Sequence, residues 1–435
     1  MQEPGIADRL KVNRSTSNIE RFPRARRLPL GAGLALLLTG CATMPLPPAV
    51  PYTGDALIDG KAQLAVAPPR DRVLWHYRVG ATALRRGDSD EAARQLDDAL
   101  TLTRGTLSAA GDVEAARARR MFRSEAVKPF VGEPYERVMA AFYRGLLYWR
   151  QGEPDNARAL FRDGAFIDSD NENREYAGDW VLLDYLDGLA TVKLGGDGSE
   201  ALARARANAK HPLPDYDPEA NVLVVVEFGR GPRKYAAGDY GEQLKFAAEP
   251  SRLTGATLTV GGQAVALPAY DDVSFQATTR GGRVMDHILG NKAVFKGGAD
   301  VVGDAALAAA IIVANDDSHR RRSPPKTKEE LDQLRTEARE RDQAAVVLAA
   351  IGIFSKIASA ATQSSADTRT WDNLPQYLSF TALNLPPGEH EAELAFQDVS
   401  GNTVASRTQT FTIGVPPPVD GRAGDVVIFR SEVPN

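Results

Sequence analysis

From residue 71 to residue 210, apolar and small residues recur at helical spacing, and the same pattern is written more than once. WHYRVGATALRRGDSDEAARQLDDAL places Gly80, Gly87, Ala92 and Leu96 just as AAFYRGLLYWRQGEPDNARALFRDGA places Gly145, Gly152, Ala157 and Phe161. The two glycines are seven residues apart in both segments, and the next alanine follows five residues later. The pattern predicts antiparallel helix pairs. Gly80, Ala92, Gly145 and Ala157 would mark the closest approach of two helices, with Leu96, Tyr148 and Phe161 filling the holes beside them. Asp88 stands three residues before Glu91 as a helix cap, and Pro154 suits a first helical position. A weaker third unit, YLDGLATVKLGGDGSEALARARANA, carries Gly188 and Gly195, and residues 104–134 form an insert between the first two.

The arrangement resembles the tetratricopeptide pattern of small and large residues, so residues 71–210 are expected to be a TPR-like helical repeat domain. After HPLPDYDPE the period changes. ANVLVVVEF is a continuous β-branched run, the signature of a buried strand. ATLTVGGQAVAL alternates on both sides of Gly261-Gly262, which predicts a hairpin, and DDVSFQAT reads as a further strand. Residues 282–366 turn helical again, with Thr327 and Glu330 as a capping box. The apolar part of this stretch, 344–361, reads either as a helix packed on the core or a partner, or as one touching a membrane. YLSFTALNL, HEAELAFQD and TVASRTQTFTIG then alternate in strand fashion. The expected fold is α+β: TPR-like α-helical repeats followed by a β-sandwich-like domain, 211–415, with a helical insertion at 282–366. Residues 416–435 are expected to be a C-terminal tail.

The first seventy residues carry a different message. Arg21, Arg24, Arg26 and Arg27 precede an apolar run ending Leu38-Thr39-Gly40-Cys41. The run is too short for a spanning helix, which takes about 20 apolar residues. It matches a lipoprotein signal peptide over residues 1–40, cleaved after Leu38, Thr39 and Gly40, with lipidation (palmitate included) at Cys41. The long polar lead, residues 1–20, suggests a start downstream of Met1. Ala42 after the cysteine resembles an outer-membrane address facing the periplasm. Residues 41–70, rich in proline, read as anchor and tether. Cys41 is the only cysteine, so the mature part has no disulfide to stabilise it.

Net charge bounds the partners. The chain carries −5, and residues 1–40 hold seven Lys/Arg against three Asp/Glu, so the processed chain carries −9. That balance argues against nucleic acid. Catalytic motifs are missing: no P-loop, no HExxH, no GxSxG. The five histidines, His76, His211, His287, His319 and His390, are scattered singly, which predicts no metal site and no small-molecule cofactor. FGRGPRK follows a strand, but Lys234 takes the place of the third glycine of a dinucleotide loop and Pro232 disturbs the helix start. Arg230, Arg233 and Lys234 remain as a possible anion-binding set, the other reading being a solvated basic turn.

VGEPYERVMAAFYRGLLYWRQGEPDNARALFRDGAFIDSDN, NVLVVVEFGRGPRK and DTRTWDNLPQYLSFTALNLPPGEH resemble, in this order, an uncharacterised family of bacterial lipoproteins. In that family a lipobox and TPR-like helices precede a β-containing region. The resemblance implies architecture and location and carries no activity. Taken together, these features predict a membrane-anchored, non-enzymatic envelope scaffold that binds a protein partner. The other functional reading is a glycan- or lipid-binding module acting through the β domain.

Overall fold

The computed structural model describes residues 52–111, 128–169, 178–237, 243–248, 251–279, 366–418 and 424–433. The signal peptide, Cys41, Ala42, the helical insertion with Thr327 and Glu330, His287 and His319 lie outside the described residues.

Among the described residues seven helices come first: α1 Ala56–Val66, α2 Arg72–Arg85, α3 Ser89–Gly111, α4 Pro134–Arg150, α5 Pro154–Ser169, α6 Val181–Lys193 and α7 Ser199–Asn208. They pack in chain order, each against the next. The expected pairing geometry is present at named atoms. A methyl group added to Gly80 would lie 3.1 Å from Leu96, and one added to Gly145 would lie 2.6 Å from Phe161. Ala92 and Ala157 are fully buried at equivalent places. The three helix-to-helix turns close alike. Gly87, Gly152 and Gly195 adopt φ of 77°, 81° and 81°, and their amides bond the carbonyls of Leu84, Trp149 and Val192 at 3.0, 2.9 and 2.9 Å. A side chain at such a φ is strained, which is why glycine ends each first helix. The third pair departs in its packing, because Gly188 faces Tyr216 and Ala201.

α1 occupies part of the segment expected to be a tether. Asp55 accepts from the amides of Leu57 and Ile58 at 2.9 and 3.0 Å, and Arg86 grips both its oxygens at 2.8 Å. A capped first turn held by the next helix forms even beside a proline-rich stretch.

The strands are β1 Val222–Phe228, β2 Arg233–Ala237, β3 Gln243–Ala247, β4 Leu253–Val260, β5 Gln263–Pro268, β6 Asp271–Asp272, β7 Tyr377–Leu383, β8 Gly388–Asp398, β9 Gln409–Val415 and β10 Val426–Ser431. A mixed sheet runs β10-β1-β7-β6, an antiparallel sheet runs β5-β4-β8-β9, and β2-β3 is a separate ribbon. The Gly261-Gly262 hairpin forms as expected. Two segments differ. DDVSFQAT gives only two strand residues before a short helix, α8 Val273–Thr279, because Asp272 accepts from the amides of Ser274 and Phe275 at 2.9 and 3.1 Å and starts a turn of helix. Residues 426–431, in the expected tail, pair in parallel with β1.

β1 explains the architecture. Its residues are all buried, but their two faces serve different cores. Leu223 and Val225 join a core built from helices α2 to α7 with Leu378, Phe380 and Val427. Val222, Val224, Val226 and Phe228 join Leu258, Leu394, Phe396 and Ile413 of the antiparallel sheet. The result is three layers: helices, mixed sheet, antiparallel sheet. Full burial of each such side chain contributes about 1.5–3 kcal/mol, so a continuous apolar run is what a middle layer requires. The helical core therefore crosses the boundary at residue 211. α2 and α4 touch β10, and α6 touches β7; α3, α5 and α7 pack chiefly on other helices.

Candidate functional site

Three segments distant in sequence converge beside α2 and α4. They are residues 132–137, 228–234 and 367–376, the three stretches that carried the family resemblance. Glu136 is their hub, with its side chain fully buried. One oxygen accepts from Lys234 Nζ at 2.6 Å and from the Glu133 amide at 2.7 Å. The other accepts from the Trp371 amide at 2.8 Å. Burial pushes the Glu136 carboxyl up, and the Lys234 ammonium pulls it back. Lys234 also donates to the Arg369 carbonyl at 3.0 Å and lies 5.2 Å from the Phe130 ring centre. Trp371 stacks on Tyr77 at 4.4 Å. Gly231 passes close to the chain: an added methyl would lie 2.7 Å from the Leu374 carbonyl oxygen, which accepts from the Gly231 amide at 2.9 Å. The turn before β2 is thus fixed in place by residues 374–376.

Lys234, from this hub, lines an open groove of about 590 Å³ between α2, residues 368–372 and the start of β2. Leu74 and half-buried Trp75 form its apolar side. Arg78 lies 4.8 Å from the Trp75 ring centre and meets Asp372 at 2.9 Å. Arg369 bonds Asp71 and Asp367, both at 2.6 Å. Arg233 stands exposed at the rim. The volume is within the range of small-ligand sites.

A second buried centre ties the same layers further along. Glu227, on the helical face of β1, accepts from Arg85 Nε and the Tyr143 hydroxyl, both at 2.5 Å, and from the Ser431 hydroxyl at 2.6 Å. Arg85 and Glu227 are 2% and 0% exposed. Asp425 adds a third tie, accepting from Trp149 Nε1 and Lys193 Nζ at 2.8 Å each.

The sequence-predicted residues fall as follows. Gly80, Ala92, Gly145, Ala157 and Phe161 sit in helix contacts, and Tyr148 lies under Arg144 at 3.4 Å. Arg230, Arg233 and Lys234 do not act together: Lys234 is turned inward and bound to Glu136, whereas Arg230 and Arg233 are exposed. Lys234 is therefore removed from the anion-binding set. His76 bonds Gln95 at 2.7 Å and His390 bonds the Pro386 carbonyl at 2.8 Å; among the described residues no group of His, Cys, Asp or Glu side chains gathers as metal ligands. Among those residues no helix is long and apolar enough to cross a membrane. Trp75, Arg78, Glu136 and Asp372 were not singled out by sequence. The trace in the sequence was the opposite charge carried by GEPYER and FGRGPRK. No family model, curated protein or solved structure matches the chain.

Proposed function

We propose that this α+β chain is a lipid-anchored envelope protein that works without catalysis, as a scaffold for a protein partner. The lipobox ending at Cys41 supplies the anchor, with Ala42 favouring the outer membrane and a periplasmic location. The recurring geometry of the first two helix pairs supports the TPR-like reading.

One observation carries the functional reading and also revises it. The first helices of the pairs, α2, α4 and α6, are packed against the chain's own sheet. In helical repeats such an inner surface is the usual binding face. Here it is filled, so a partner must use the outer side. That side carries exposed Leu102 and Leu107 on α3 and Phe166 on α5, the last 69% exposed. Single exposed apolar residues are common, but large ones on neighbouring helices favour contact with another protein.

The test is photo-crosslinking in living cells from positions 102 and 166. A discrete adduct that forms with the full chain, and is lost when Cys41→Ser releases it from the membrane, is expected. Absence of any adduct from both positions overturns the scaffold reading.

A further inference from the structure

We propose that the groove between α2, residues 368–372 and β2 binds a small ligand through a single carboxylate, held by Arg233 with the ligand's body against Trp75. The charges on the groove are nearly all spent on one another. Lys234 is paired with Glu136, Arg78 with Asp372, and Arg369 with Asp71 and Asp367. Arg233 makes no ion pair among the described residues. The groove's four cations, Arg78, Arg233, Lys234 and Arg369, thus face four carboxylates, Asp71, Glu136, Asp367 and Asp372, and Arg233 is the cation that takes no carboxylate among the described residues.

That one uncommitted guanidinium selects the ligand class. A monoanion matches it. A dianionic phosphate would also face the Asp71 and Asp372 carboxylates, which line the same groove. A guanidinium offers parallel N–H donors suited to a planar carboxylate. The backbone that carries Arg233 is set by the fold. Arg233 opens β2, where it pairs with Ala247, and the preceding Gly231 is held against Leu374 and Pro375. Thr368 and Thr370 complete the wall. A planar or aliphatic body beside the carboxylate would rest on Leu74 and Trp75.

The chain carries its own reporter. Of its four tryptophans, Trp149, Trp180 and Trp371 are at most 2% exposed, and only Trp75 is half-buried. The experiment is a benzoate titration of the full chain in detergent, followed by tryptophan emission. A saturable change that disappears in Trp75→Phe is expected. Arg233→Gln should weaken the apparent affinity about tenfold, or about 1.4 kcal/mol, with Arg233→Lys in between and inorganic phosphate competing more weakly than benzoate. No saturable change, equal affinity in Arg233→Gln, or phosphate binding as well as benzoate would each overturn the proposal. The inference rests on reading the chain as a binding protein. It is separable from the scaffold reading, because loss of crosslinking at Leu102 and Phe166 leaves the titration unaffected.

Discussion

The Glu136 carboxylate and the Lys234 ammonium meet at 2.6 Å, both no more than 2% exposed, although 98 positions separate them in the chain. Glu136 belongs to α4 and Lys234 to β2, so a charge pair fastens the helical half to the β half at its base. Removing one partner strands a buried charge, which costs about 3–5 kcal/mol. Lys234→Met should therefore lower the unfolding free energy read from urea titration by that much. Combining it with Glu136→Gln should return a large part of the loss. A double variant no more stable than Lys234→Met would contradict the pairing.

The helix contacts predict a graded response. An added methyl meets Phe161 at 2.6 Å in Gly145→Ala but meets Leu96 at 3.1 Å in Gly80→Ala. Overpacking costs about 1–3 kcal/mol, and Gly145→Ala should lie at the upper end and Gly80→Ala at the lower. Phe161→Leu in the Gly145→Ala background should relieve the cost. Thermal unfolding of the three variants beside the natural chain measures this directly.

Much of this was legible in the sequence, and the reasons are local. Turn glycines, seven-residue spacings and the β1 run are set by neighbours within one element. The hairpin at Gly261-Gly262 likewise needs only its own residues. α1 and β10 were missed because each depends on a distant partner: Arg86 holding Asp55, and β1 pairing with residues 426–431. The groove was missed for the same reason. Lys234 reads as one of three basic residues in a turn until Glu136 is placed opposite it.

The Tyr143 hydroxyl donates to the buried Glu227 carboxylate at 2.5 Å. Hydrogen bonds to charged groups contribute about 1.5–3 kcal/mol. Tyr143→Phe keeps the ring against Phe429 and Trp371 and removes only the donor. A loss of stability in that range is expected by denaturant titration, and a neutral variant would contradict the assignment.

Asp271 supplies a pH signature. It caps α6 from another element, accepting from the amides of Val181 and Leu182 at 2.8 and 2.9 Å. Burial pushes its carboxyl up to about 7, against the pull of those two amides, and the charges of Asp179 and Asp184 push the same way. A carboxyl raised on folding binds its proton more tightly in the native state. Its contribution is full below the unfolded value of about 3.9 and is lost as pH rises through about 7. The stability advantage of the natural chain over Asp271→Asn should shrink between pH 5 and pH 8. An advantage that grows over that interval would contradict the account.

The central claim is that the inner face of the helical array is closed by the chain's own sheet. Amide hydrogen exchange of α4 (Pro134–Arg150) and β1 (Val222–Phe228) tests it most directly. If the layers share one core, both segments exchange at the same opening free energy, and Lys234→Met lowers both by the same amount. Exchange of α4 that leaves β1 unchanged in the variant would contradict it, and would return the inner helical surface to the list of places a partner can bind.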